Sequence, residues 1–147
     1  MDIVGTTLTV RPIDATTADN PRAVDLTEAN GLYDDTLVKR LRDRGFDARL
    51  LGDGVASGGF AVTSKLVRVD PGSTGARVVM NVWMQMLFRQ NAVYEVEGFV
   101  GQADAPLVAF SVTGKGYNST RRRVVDFAAK AAAMLAARQI AKALAAR

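Results

Sequence analysis

Several stretches of the chain alternate between hydrophobic and polar residues, the pattern of β-strands that bury one face. Leu8 and Val10 alternate with Thr9 and Arg11 ahead of Pro12, which predicts a first strand ending near the proline. Later in the chain, Tyr94 and Val96 would share one face of another strand. The strands predicted in this way cover residues 8–12, 48–51, 60–69, 92–100 and 107–115.

Residues 77–89 contain enough methionine and leucine to suit a helix, but their alternation favours a strand. A strand would keep the polar residues Asn81 and Gln85 on one side. The other side would be wholly apolar and would carry Val78, Met80, Val82, Met84, Met86 and Phe88. With this long strand, four strands follow one another through short connections, which predicts an antiparallel meander.

Helical spacing of apolar residues appears in two places. In residues 31–44, Asp34 and Asp35 are expected to offset the positive end of the helix dipole, and Gly45 to end the helix, with Phe46 folding back onto it. Residues 14–30 precede this helix as a long polar loop. An alanine-rich helix is predicted from about residue 120 to the C-terminus, beginning after Asn118 or Ser119 as its N-terminal cap.

Two apolar stripes run along this C-terminal helix and predict a wide buried arc in its first half, with less burial in its last turns. The first stripe consists of Val125, Ala129, Ala132, Ala136, Ile140 and Ala143. The second consists of Val124, Phe127, Ala131, Met134 and Leu135, and it stops where Arg138 and Lys142 begin.

The order of these elements predicts an α+β fold. It would be a two-layer sandwich with a largely antiparallel sheet, a four-strand meander and two helices on one face. A length of 147 residues with 48% hydrophobic content suits a single domain over residues 1–147. The chain contains no apolar run of about 18 residues, and its start lacks the pattern of a signal peptide. It is expected to be cytoplasmic or to follow a signal that has been removed.

The composition narrows the chemistry, because the chain contains no histidine and no cysteine. Ser-His-Asp and Cys-His catalytic sites, zinc fingers and iron–sulfur clusters are therefore excluded. No cofactor and no metal site are predicted. The formal net charge is +4, and the 14 Arg, 5 Lys, 12 Asp and 3 Glu show a skew that a GC-rich coding bias would also give.

The nearest candidate for acid–base catalysis is the pair Glu95 and Glu97, which would project from the same strand face about 7 Å apart. Nothing else with catalytic chemistry converges on that face, so we favour an exposed strand face over an active site. The glycines at 52, 54, 58 and 59 match no phosphate-binding spacing and suit turns instead. The protein is therefore expected not to be an enzyme.

Two surfaces remain as candidate sites. If the side of the 77–89 strand that carries Met80 faces the helices, the opposite side forms an apolar patch with a polar rim, which is typical of an interface. The residues of this predicted interface are Val79, Trp83, Leu87 and Phe99, with Arg77 and Arg89 at the rim. The competing interpretation is that the 14–30 loop covers the patch.

The second surface is the run Arg121, Arg122 and Arg123 at the start of the last helix, where cations oppose the helix dipole. An anion-binding or nucleic-acid-binding function is the alternative that this run suggests, although a solvated turn also explains it. The arginines are not interleaved with aromatic residues, so nucleic acid is not the expected partner.

The order of elements, the segment KLVRVDPGS at residues 65–73, Arg77 and the closing alanine-rich helix together resemble a group of uncharacterised bacterial envelope proteins, many of them lipoproteins. Their domains are similar to the N-terminal domain of the Tol translocation protein and to the core of the curli-secretion lipoprotein. The resemblance implies a non-enzymatic binding or assembly module that contacts a protein partner or other copies of itself. It also implies a periplasmic or outer-membrane location, with membrane contact only through an anchor preceding Met1.

Overall fold

The computed structural model describes residues 2–52, 59–72, 92–102, 105–116 and 124–147. Most of the predicted elements are present, with ends shifted by a few residues. In chain order they are β1 (Thr7–Val10), α1 (Thr27–Asp43), β2 (Asp47–Leu50), β3 (Phe60–Asp70), β4 (Ala92–Gln102), β5 (Ala105–Gly116) and α2 (Val124–Ala145). The predicted strand at 77–89 and the predicted helix start near residue 120 lie outside the described residues.

The five strands form one mixed sheet in the order β2-β1-β3-β4-β5. β1 pairs in parallel with β2 and with β3, whereas β3–β4 and β4–β5 are antiparallel. The α+β class and the two-layer sandwich are confirmed. In the described residues the meander consists of the three antiparallel strands β3, β4 and β5, because β3 pairs directly with β4 and has β1, in parallel, on its other edge.

Both helices pack on the same face of the sheet, as predicted. The alternating buried residues of β4 and β5, among them Val96, Phe110 and Val112, point towards them. α2 lies so close to β5 that a Cβ atom added to Gly114 would come 1.9 Å from the carbonyl oxygen of Ala128. The absence of a side chain at this glycine therefore permits the close contact between sheet and helix.

The end of α1 follows the sequence prediction. Gly45 has a φ of 103°. Its N–H donates to the carbonyl of Arg42 at 3.0 Å, and the N–H of Phe46 donates to the carbonyl of Leu41 at 3.2 Å. These two bonds form the Schellman motif. The start of the helix differs, because α1 begins at Thr27 instead of Gly31. Asp34 consequently lies in the middle of the helix, and its predicted role at the helix dipole is wrong.

The burial of α2 differs from the two predicted stripes. Phe127, Met134 and Leu135 of the second stripe are exposed. The last turns are buried at Ile140, Ala141 and Leu144, contrary to prediction. Because α2 packs against both the sheet and α1, its buried arc also includes alanines outside the two predicted stripes, namely Ala128, Ala133 and Ala137.

The polar segment after β1 runs along β3. The N–H groups of Asp14 and Asp19 donate to the carbonyls of Ser64 and Val67, at 3.0 and 2.8 Å. Parallel bridges join Asp14 to Lys65 and Asp19 to Arg68. The segment therefore continues the edge pairing of β3 beyond the end of β1.

Candidate interaction surface

Phe99 is the one residue of the predicted interface that the structure describes. It is partly buried on the face of the sheet opposite the helices, between its strand partners Thr63 and Ala109. The other members, Arg77, Val79, Trp83, Leu87 and Arg89, lie outside the described residues. The structure therefore places Phe99 on the predicted face and leaves the grouping of the six residues as a prediction.

An open groove surrounds Phe99 on the helix-free face and extends to the outer edge of β5. Its volume is about 570 Å³, and its lining includes Thr63, Lys65, Pro106 and Ser111. Gln139 of α2 reaches the same groove at the edge of the sheet. The groove is thus built mainly from short or apolar side chains, a surface suited to contact with another polypeptide.

The two glutamates considered for catalysis lie next to cations on β3. The Nε atom of Arg68 is 3.5 Å from a carboxylate oxygen of Glu95. Glu97 is the strand partner of Lys65. These cross-strand pairs are a common way to stabilise an exposed sheet surface. The arrangement favours the interpretation of Glu95 and Glu97 as an exposed strand face.

A polar cluster that the sequence analysis did not identify lies between α1 and the sheet. The hydroxyl groups of Tyr33 and Ser64 share a hydrogen bond of 2.9 Å, and the Tyr94 hydroxyl donates to the side-chain oxygen of Asn30 at 2.6 Å. The two tyrosine rings are 5.8 Å apart. Burial raises the pKa of both tyrosines far above their usual range. Both phenols therefore remain protonated and act as hydrogen-bonding groups.

The side chain of Asp34 connects α1 to the segment after β1 through a hydrogen bond. Its carboxylate is buried and accepts a 3.0 Å hydrogen bond from the backbone N–H of Ile13. Burial raises the pKa of Asp34 to about 6, although the Ile13 bond opposes that rise. Its inward position follows from helical spacing, because Asp34 precedes the buried residues Leu37, Val38 and Leu41 by three, four and seven positions. The hydrophobic pattern alone did not predict this, because an aspartate within a helix is normally exposed.

The cluster and Asp34 together position α1 on the sheet. No buried side-chain nitrogen or oxygen in the described part of the chain lacks a hydrogen-bonding partner. The chemistry is that of a structural network, which aligns a helix without offering a reactive group. The sequence does contain a signal for this cluster, because the hydroxyl-bearing residues Ser64 and Tyr94 occupy inward-facing positions in the alternating patterns of their strands.

The flanks of the two predicted surfaces meet at one end of the sheet. Asp70 pairs with Val93, and Ala92 pairs with Gly116. A Cβ atom added to Gly116 would come 2.1 Å from the carbonyl oxygen of Val124. Residues 77–89 and the run Arg121, Arg122 and Arg123 lie outside the described residues.

No family model and no curated protein matches this chain. Similarity is found among solved structures. PelC from Paraburkholderia phytofirmans, solved as a dodecamer, has a TM-score of 0.57 and 14% identity, over 92% of this chain and 87% of that one. Protein XCC0632 from Xanthomonas campestris, of the DUF330 family, has a TM-score of 0.57 and 13% identity, over 98% and 90%. The hypothetical protein CT253 from Chlamydia trachomatis has a TM-score of 0.51 and 11% identity, over 97% and 95%.

At these identities the likeness establishes the fold alone. The predicted resemblance to uncharacterised bacterial proteins is confirmed at that level, and the specific relation to Tol and curli proteins stays a prediction. Neither helix in the described part of the chain combines the length and apolarity that crossing a bilayer requires.

Proposed function

We propose that this protein is a non-enzymatic assembly module of the bacterial cell envelope that works through protein contacts, above all with copies of itself. The observation that carries the proposal is the fold: over nearly the whole chain it matches PelC, which is a dodecamer in its crystals. The open groove at Phe99 supports it, because short and apolar side chains bordered by paired charges suit a protein interface.

The non-enzymatic part of the proposal rests on the disposition of the polar groups. Glu95 has a cation beside it, and the buried tyrosines hydrogen-bond within the fold. An envelope location and a relationship to the Tol and curli-secretion domains complete the proposal, and both derive their support from the sequence resemblance and from the shared fold.

Co-expression of two differently tagged copies of the full-length natural protein tests this function. The expected result is that one tag recovers the other from the envelope fraction and that a tagged unrelated envelope protein of similar size is not recovered. Recovery of both copies only from the cytosol would contradict the envelope location. Failure of one tag to recover the other would contradict self-assembly.

A further inference from the structure

The outer edge of β5 is long and carries little charge. β5 forms one edge of the sheet and has twelve residues, Ala105–Gly116, of which Lys115 is the only charged one. The strand at the opposite edge, β2, has four residues and includes Asp47 and Arg49. Short length and charge are two means by which proteins prevent an edge from pairing with another chain. β2 uses both, whereas β5 relies on Pro106 near its start and Lys115 near its end.

Backbone groups of β5 point outward from the sheet. The carbonyl of Ser111 accepts a hydrogen bond from the side-chain amide of Gln139 at 3.4 Å, and the carbonyl of Leu107 accepts one from Arg147. Since successive residues of a strand direct their backbone groups to opposite edges, Ala109 and Thr113 also present theirs outward. In the described part of the chain, no strand pairs with this edge.

One exposed apolar side chain of α2, Leu135, lies beside this edge. Leu135 is four residues before Gln139 and therefore on the same side of the helix, one turn away. It is 39% exposed. A partner that extends the sheet at this edge would also cover Leu135.

We propose that the outer edge of β5 is the site at which a second copy of this chain pairs, antiparallel to the first, around a two-fold axis at Ser111. The inference rests on the proposed self-assembly and names its surface. With Ser111 of one copy facing Ser111 of the other, Ala109 of each copy lies opposite Thr113 of its partner. The side chains of Ser111, Ala109 and Thr113 are all small. The one charged residue of β5, Lys115, lies opposite Leu107, so no two charged residues of the paired strands face each other. Arg147, which bonds to the Leu107 carbonyl, must turn away from this edge when the second copy pairs.

A second copy fits this edge better than an unrelated strand for a physical reason. A two-fold axis supplies both chains with an edge of equal length, equal lack of charge and matching outward backbone groups. The same axis brings Leu135 of both copies to the same side of the enlarged sheet. The weak 3.4 Å bond from Gln139 is then replaced by backbone hydrogen bonds between the two Ser111 residues.

The test is charge substitution at the axis, read by sedimentation. Ser111→Glu and Ser111→Lys each place two like charges face to face in the paired state. Within one chain Ser111 is the strand partner of Glu97, which repels the introduced glutamate but attracts the introduced lysine, so loss of association in both variants is attributable to the axis. We expect each variant alone to raise the dissociation constant at least tenfold, and an equimolar mixture of the two to restore association. Thr17→Glu and Thr17→Lys, at an exposed position in the segment after β1, serve as controls that leave association unchanged.

Circular dichroism of each variant verifies that the fold is intact, since Ser111 is exposed. If wild-type protein associates and both Ser111 variants associate equally well, the β5 edge is not the interface, while self-assembly stands. If association is lost in each variant and the mixture does not restore it, the two-fold pairing at Ser111 is wrong. If wild-type protein is monomeric at every concentration, this inference and the proposed self-assembly both fail.

Discussion

Asp34 shows how one buried carboxyl group can couple the stability of this fold to pH. It lies within α1, and its single observed bond to Ile13 only partly compensates for its burial. The pKa of its carboxyl group is about 6 in the folded protein, against 3.8 for an unperturbed aspartate. The folded state therefore binds this proton more tightly than the unfolded chain does.

For Asp34, the free energy of unfolding is expected to fall as pH rises from about 4 to about 6 and then to level off. Each unit of pKa difference corresponds to about 1.4 kcal/mol, so an effect on the order of 1 kcal/mol is expected once partial hydration is allowed for. Asp34→Asn stays neutral and can still accept the Ile13 bond. It should flatten this pH dependence and stabilise the protein near neutral pH.

Urea denaturation of Asp34→Asn across this pH range measures the effect. Asp43→Asn provides the control, because Asp43 is an exposed aspartate on the same helix. If the pH profile of Asp34→Asn follows that of wild-type protein, Asp34 does not titrate as described.

At the scale of the elements, α2 packs closely against β5. Gly114 faces the backbone of α2 so closely that a methyl group would meet both Ala128 and Ala132. Backbone atoms cannot move aside as flexible side chains can. The sheet and the helix must therefore separate to accept any side chain at this position.

Gly114→Ala is expected to lower the free energy of unfolding by about 2 kcal/mol or more, because overpacked sites typically cost about 1–3 kcal/mol. Gly31→Ala is the matched control. Gly31 lies inside α1, and a Cβ atom added there meets nothing within 4 Å. That change should stabilise the helix by up to about 1 kcal/mol. Thermal unfolding compares the stabilities of the two variants. An equal effect of the two substitutions would show that α2 does not lie against Gly114.

The elements also show what the sequence could and could not predict. The strands β3 and β5 were predicted because burial of one strand face gives a strict alternation of apolar and polar residues. The end of α1 was predicted because glycine, here Gly45, readily adopts the left-handed backbone conformation that ends a helix. Strand order was not predicted, since nothing local in Thr7–Val10 indicates that β1 pairs in parallel between β2 and β3. The buried residues of α2 were predicted incompletely, because alanines lie all around this helix and do not show which side packs against the sheet and α1.

For the molecule as a whole, the predicted interface is the apolar side of residues 77–89 that carries Trp83, a residue type enriched at binding hot spots. Phe99 is the member of that group for which the structure gives a position, on the helix-free face. The buried cluster around Tyr33 was missed because its hydrogen bonds join residues far apart in the chain, such as Asn30 and Tyr94.

Trp83→Ala is expected to weaken self-association by more than about 1 kcal/mol with the fold intact. Light scattering at several concentrations compares it with wild-type protein. Leu51→Ala, which removes another exposed apolar side chain, should have no such effect. A Trp83→Ala variant that unfolds would place Trp83 in the protein's own core, and one that associates normally would remove Trp83 from the interface.

The run Arg121, Arg122 and Arg123 is expected to bind anions weakly and without sequence preference. In the predicted helical conformation, the three consecutive residues would spread over about 200° of arc and could not all contact one phosphate. Binding of labelled single- and double-stranded DNA should be micromolar or weaker and should fall steeply with added salt. Tight, sequence-selective binding that persists at high salt would instead establish a nucleic-acid-binding protein.

The central claim is that this α+β protein works by associating with itself, and its mass in solution tests that claim most directly. Light scattering of the purified protein over a wide concentration range should give a mass that is a multiple of the 15.7 kDa monomer and that decreases on dilution. A mass of 15.7 kDa at every concentration would contradict the account.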